Sequence, residues 1–402
     1  MDRALRAAFN AVWTPALHAR VRADLERHVG APVPFRVAES PLFLPAASWE
    51  RFVRAAEEIM AELCAPPLLA AQAAEVPERY RTPGDDPLPQ FAAIDFAVVR
   101  EEDGSLGPRC VELQGFPSLY GFQILLADLW ATALAGRPGL PARWKLFFSG
   151  LGRHRALALL RDAIVGEHDP NEVVLLDIDP AHQKTSPDFH VVRRWFGVDA
   201  VCVTALRREG DKLLREKDGR SVRVRRVYQR IVFDELERRK VPLCFDWREP
   251  LDVEWAPRPD WFYLWSKSSL LRLRHWAVPR TTRLSEIDGP PRDLERHVLK
   301  PLYSFAGAGV VVDPTPADVA AVPRDERPGW VLQERVDYAP GMESAEGHGV
   351  RAEVRMLFVR PDRDPKMTLL FDLVRLSRGK MIGVNYNKEL TWTGASVALR
   401  PD

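Results

Sequence analysis

Between residues 172 and 206 the chain runs strand, helix, strand: EVVLLDID and DAVCVTAL are short apolar runs, and FHVVRRWFG between them repeats its apolar residues at helical spacing. That order predicts a βαβ lobe, two parallel strands joined by a crossover helix. It sets the fold class as α/β, with α+β lobes on either side.

The chain is long enough to support such lobes. At 402 residues the length favours two or three units sharing a large core, and 46% hydrophobic residues with 12 Trp allow enough apolar burial to offset chain entropy. The 57 cations and 56 anions nearly cancel to +1, so no bulk field holds nucleic acid or an anionic membrane surface, although a local basic groove stays open. LRREGDKLLREKDGRSVRVRRVYQR is basic, but Glu209, Asp211, Glu216 and Asp218 interleave and VRVRRV alternates like a strand with one solvated face. A hairpin accounts for it better than a nucleic-acid surface. Cys64, Cys110, Cys202 and Cys244 stand far apart without CxxC or Cys/His spacing, so reduced, mostly buried thiols are expected rather than a zinc site or a disulfide scaffold. The opening MDRALRAAFNAVW is charged and amphipathic, and no apolar stretch is long enough for a membrane span, so a soluble cytoplasmic protein is the expectation.

Residues 1–150 open with helix, Pro-punctuated loop and helix. Ser48 is placed to cap a helix whose Phe52, Ala56, Ile59 and Leu63 recur at helical spacing. Ala93 to Arg100 and Arg109 to Gln114 read as antiparallel strands around EEDGSLGP, whose Asp103-Gly104 has turn chemistry, and a helix is expected near Phe122 to Ala135. The βαβ lobe takes residues 151–260. Residues 261–402 are strand-rich with Gly turns: HVLKPLYSFAGAGVVVD, WVLQERVDY, RAEVRMLFVR, MTLLFDLVRLS and KMIGVNYN.

The candidate chemistry is split between this last third and the hairpin near residue 100. In VLKPLYSFAGAGVVVD an apolar strand ends on Lys300, and Gly307 and Gly309 sit in a small-residue loop before another strand. Glycines let backbone N–H groups approach phosphate oxygens and a lysine brings a point charge to them, although the segment is not the GxxxxGK[ST] loop. Only ten of the 57 cations are lysines, which makes Lys267 in DWFYLWSKSSLLRLRHW a candidate second phosphate ligand, with a lysine snorkelling at a helix start as the alternative. Glu334 and Val336 in WVLQERV could read an adenine edge through the main chain. Glu112 and Gln114, two apart on a strand, point from one face and can offer two oxygens to a hard cation, with Asp95 on the paired strand alongside. Glu353 and Arg355 also share a face, and an ion pair between them is the plain account.

The order of these segments resembles the ATP-grasp ligases of the glutathione synthetase and glutathionylspermidine synthase type. IDFAVVREEDGSLGPRCVELQGFPS is similar to that family's strand-turn-strand carrying an Asp and a Glu-x-Asn metal pair, WSKSSLLRLRHW to its SNKxxLxxL stretch, VLKPLYSFAGAGVVV to its KPxxGREGxNV loop, and WVLQERV to its hinge. EVVLLDIDPAHQKTSPDFHVVRRWFGVDAV and DGRSVRVRRVYQRIVFDEL, with its YQR strand, resemble the substrate lobe, and LVRLSRGKMIGVNYNKE the closing strand and turn. The resemblance implies an ATP-grasp fold with an inserted βαβ substrate-binding lobe. Residues 1–150 would then hold the helical region with the metal-binding strands, and 261–402 the nucleotide-binding lobes.

It implies an ADP-forming carboxylate–amine ligase working through an acyl phosphate, with ATP and magnesium, a small-molecule or peptide carboxylate, an amine, and a homodimer left open. Asp95, Glu112 and Gln114 would hold magnesium. Lys267, Lys300, Gly307 and Gly309 would hold phosphates, and Gln333 with Glu334 and Val336 the adenine. Arg230 and Ser118 would face substrate, and Arg355 or Arg375, with Lys300, would serve catalysis. Three positions depart from the family pattern: Gln114 replaces Asn, Ala93 replaces an Arg, and Ser304-Phe305-Ala306 replaces the acidic GRE. A nucleotide-binding protein without turnover on the same scaffold is the alternative from another class.

Overall fold

The structure, a computed structural model, describes residues 1–84, 86–289, 291–303, 309–379, 382 and 389–402. Its central feature is a six-stranded antiparallel sheet. In spatial order its strands are Gly394–Ser396, Thr368–Ser377, Gly349–Val359, Phe91–Arg100 and Leu106–Gln114, with Pro340–Glu343 also paired to Gly349–Val359. FAAIDFAVV is buried along its whole length because helices and loops cover both faces of this sheet, which is why Asp95 stands in an otherwise apolar run.

The expected hairpin forms, turning through residues 101–105. Glu101 N–H donates to Ser105 O at 2.9 Å, Asp103 Oδ1 accepts from Ser105 N–H at 2.8 Å, and Gly104 takes the left-handed φ of 79° that the turn requires. The ladder then shifts: Asp95 faces Glu112 but Phe96 faces Cys110, so Val111 is an extra, bulged residue. The bulge keeps Glu112 and Gln114 on the Asp95 face.

The βαβ reading also holds. Val173–Asp177 and Asp199–Cys202 pair in parallel, joined by the helix Ser186–Phe196, and Arg226–Gln229 and Glu254–Ala256 extend the same four-stranded parallel sheet. The basic stretch is a three-stranded antiparallel meander, Arg207–Glu209, Lys212–Lys217 and Arg220–Val224, before its chain enters the parallel sheet. Asp188, fully buried at the start of the crossover helix, accepts from Leu119 N–H and Phe122 N–H, capping the helix Tyr120–Leu134 from a neighbouring element.

A third sheet orders Thr281–Arg283, Trp330–Glu334, His297–Pro301 and Val311–Val312, all antiparallel. It has its own small core of Leu284, Leu294, Leu299, Val319, Val322 and Leu332. Lys300 and Gln333 alternate with Leu299 and Leu332 and therefore leave that core on the opposite face.

Two expectations need correction. The helix spans Ala46–Leu63, so Ser48 lies inside it, buried, and does not cap it; Pro45, with its fixed φ, ends the extended approach instead. The stripe Phe52, Ala56, Ile59 and Leu63 is buried as expected. Of the four free thiols Cys110 is buried, Cys64 and Cys202 are partly buried and Cys244 is exposed, because the last lies in an irregular segment outside the sheets. Among the described residues no helix is long and apolar enough to cross a membrane.

Candidate active site

The face of the large sheet that carries Asp95 also carries Glu353, Arg355 and Arg375, and the ladder brings them together. Asp95 stands opposite Arg355, and Glu353 opposite Arg375. Asp95 Oδ1 accepts from Arg355 Nε at 2.6 Å, and Oδ2 from Arg355 Nη2 at 2.7 Å and from Arg375 Nη2 at 2.6 Å. Arg375 bridges on to Glu353, and Tyr338 Oη donates to the other Glu353 oxygen at 2.7 Å. Burial raises the Glu353 pKa, which Arg375 counters and Asp95 reinforces. The plain pairing of Glu353 with Arg355 is thus replaced by cross-strand pairs, because residues opposite each other in a ladder approach more closely than residues two apart on one strand.

Next to this buried group lies a narrow cleft of about 20 Å³ lined by Glu112, Gln114, Phe116, Trp265, Lys267 and Tyr303 among others. Lys267 opens a short 3₁₀ turn, Lys267–Leu271, capped by the Ser266 hydroxyl, and its ammonium stands 3.4 Å from Glu112 Oε1. Gln114 Nε2 donates to Glu112 Oε2 at 3.4 Å. Lys300 comes from the third sheet and reaches across to the first: its Nζ donates to Gln333 Oε1 at 2.6 Å and to the bulged Val111 carbonyl at 3.4 Å. Burial lowers the Lys300 pKa to about 8, with Glu112 opposing the shift and Lys267 adding to it. Burial disfavours the Glu112 anion, but Lys267, Arg355, Arg375 and Lys300 outweigh it and hold its carboxyl below the ordinary range.

The other predicted residues fall into three positions. Gln333 is buried with its amide between Lys300 and Thr281, whose Oγ1 accepts at 3.0 Å, so its side chain orients the lysine. Glu334 spends its N–H on the Arg280 carbonyl, and Val336 lies just past the strand, partly buried. Arg230 is buried and donates to the carbonyls of Phe116 and Pro117 at 2.7 and 2.8 Å, bracing the loop that carries Ser118. Ser118 is partly buried in that loop, between the Glu112 strand and the helix Tyr120–Leu134. Gly309 has φ 71° and faces Pro301, 3.0 Å from where a Cβ would stand, so a larger residue is resisted there. Gly307 and residues 304–306 lie outside the described residues.

The expected metal set can be tested against this geometry. Glu112 and Gln114 fit, being adjacent, oxygen-bearing and open to the cleft. Asp95 does not fit, because it is fully buried and both of its oxygens are taken by guanidinium groups. Among the described residues no group of three or more His, Cys, Asp or Glu is gathered for a metal ion. Residues that motif reasoning missed are Tyr338, Thr281 and the aromatic wall of Phe116, Trp265 and Tyr303, which come from five separate segments and carry no local signature.

No protein-family model and no curated protein sequence matches this chain. Its fold is similar to the solved structure of a glutathione synthetase-like effector from Globodera pallida in the apo form, with a TM-score of 0.58 over 91% of this chain and 95% of the other, at 9% identity. At that identity the likeness is one of fold: the chain has a glutathione synthetase-like α/β architecture.

Proposed function

We infer that the cleft between the first and third sheets binds ATP, and that the protein is an ATP-grasp, ATP-dependent carboxylate–amine ligase. One observation carries this reading: Lys267 and Lys300, from separate elements, converge around Glu112 at a cleft in a glutathione synthetase-like fold. Lys267 stands 3.4 Å from Glu112 and Lys300 acts on the same carboxylate from its place beside Gln333 and Val111, so two cations meet one anion there and a triphosphate would balance them. Gln333 fixes the Lys300 ammonium, so the charge is positioned before the ligand arrives.

In the reaction this supports, a substrate carboxylate oxygen bonds to the γ-phosphorus in line as the bond to the ADP oxygen breaks. The amine nitrogen then bonds to the acyl carbon, phosphate leaves, and the amine proton passes to solvent. Lys267 and Lys300 stabilise the charge that moves onto the phosphate oxygens. Glu112 and Gln114 would hold magnesium, which neutralises phosphate charge when bound. Arg230, through the Phe116 and Pro117 carbonyls, fixes the loop on which Ser118 could meet the acid.

A second reading, nucleotide binding without turnover, is favoured by a specific observation. Arg355 and Arg375, needed to offset an oxyanion, are engaged by Asp95 and Glu353. Incubation with ATP, magnesium and pooled amino acids and amines separates the two. A ligase releases ADP and phosphate in step with a dehydrated conjugate seen by mass spectrometry. Bound ATP with no ADP supports the binder, and a phosphorylated hydroxyl product would show kinase chemistry instead.

A further inference from the structure

Asp95 occupies the position that the sequence assigns to a metal ligand, yet its surroundings are those of an arginine anchor. A carboxylate oxygen offers about two acceptor directions. Oδ2 uses both, on Arg355 and Arg375, and Oδ1 takes a further bond from Arg355. The pairing is written into the backbone, since Asp95 and Arg355 are register partners and Glu353, the register partner of Arg375, holds that guanidinium from the other side. Magnesium demands about six oxygens in near-octahedral geometry. An ion on Asp95 would have to displace a bidentate guanidinium and then sit beside two of them. Glu112, by contrast, is 27% exposed, lines the cleft, and has Lys267 and Gln114 as its partners.

We propose that Asp95 is a positioning residue, the fixed counter-ion of Arg355 and Arg375 on the floor of the site, and that a divalent cation arriving with the nucleotide rests on Glu112 and Gln114 without it. This rests on the nucleotide reading above. Lys267, Lys300, Arg355 and Arg375 face Asp95, Glu112 and Glu353, one cation more than the anions, so the polyanion is attracted first and brings the metal with it.

Crystals of the full chain grown with manganese and a non-hydrolysable ATP analogue test this in the unaltered protein, with the metal located by anomalous scattering. The expected peak lies within bonding range of Glu112 or Gln114 and out of range of both Asp95 oxygens. Manganese on Asp95, or nucleotide bound with no manganese, overturns the proposal. An empty cleft overturns the nucleotide reading and the proposal with it.

In solution, Asp95→Asn should change the manganese affinity of the protein–ATP complex by less than about threefold, while Glu112→Gln lowers it about tenfold or more. The reverse ranking overturns the proposal. ATP binding measured in EDTA should tighten in Asp95→Asn, because a negative charge leaves the floor of the site, an outcome that a merely structural role does not produce. Unchanged or weaker binding in a well-folded Asp95→Asn protein also counts against the proposal.

Discussion

Two groups of charges share one face of the large sheet and are built in opposite ways. Around Asp95 the network is closed: Asp95 is fully buried, Glu353 and Arg355 nearly so, and their oxygens and guanidinium groups meet each other and Tyr338. Around Glu112 it is open: Glu112 and Gln114 line the cleft, Lys267 stands at 3.4 Å, and Lys300 is held by a neutral amide with its pKa lowered by burial. Both groups pair carboxylates with cations, but the closed group uses arginines and the open group lysines, and the Glu112 side chain is 27% exposed where Asp95 is fully buried. Charges at the sheet centre must find partners within the protein, whereas charges beside a cleft can leave their balance to a ligand.

The comparison breaks most visibly if the closed network is cut. Arg355→Ala leaves a buried Asp95 with Arg375 alone and should cost about 3–5 kcal/mol of stability, read by urea denaturation. A loss below about 1 kcal/mol would place the network in contact with water and erase the contrast.

Lys300→Met tests the open group. It should weaken ATP binding about tenfold or more, near 1.4 kcal/mol, and lower stability by about 1 kcal/mol because the buried Gln333 oxygen loses its donor. Calorimetric affinity equal to that of the parent would remove Lys300 from the site. A pH series sharpens the point. The Lys300 pKa, about 8, lies below the ordinary lysine value of about 10.4. The ammonium is therefore lost as pH rises through 8, and parent affinity should fall there while Lys300→Met stays flat. Between about pH 8 and 10.4 the unfolded chain holds the extra proton, so this group adds stability as pH rises. Flat parent affinity from pH 7 to 9 would contradict the assignment.

The smallest effect is expected at the rim of the closed group. Tyr338→Phe removes one hydrogen bond to Glu353 and should cost about 1 kcal/mol in thermal or urea melts. No change would show that Glu353 is satisfied by Arg375 alone.

What could be read from the sequence was local. The Asp95–Glu112 hairpin is legible because apolar runs flank a turn with Asp-Gly chemistry, and the βαβ unit because its periodicity changes between segments. The partners of Asp95 were not legible: Arg355 and Arg375 come from strands more than 250 residues away, and register across such a gap leaves no local pattern. The Val111 bulge is equally silent, although it brings a carbonyl within reach of Lys300. Ser48 misled because a good capping residue also sits comfortably inside a helix when it is buried. Arg230 shows a role that side-chain type alone cannot give, since it donates to two main-chain carbonyls and lies over the Phe116 and Tyr228 rings.

The account turns on whether the open group is a phosphate site. The most direct test is calorimetric titration of the full chain with ATP and magnesium, beside the Lys267→Met, Lys300→Met double variant shown to be folded by a cooperative thermal melt. The account predicts saturable one-to-one binding by the parent and its loss in the variant. No binding by the parent, or equal binding by both, would contradict it.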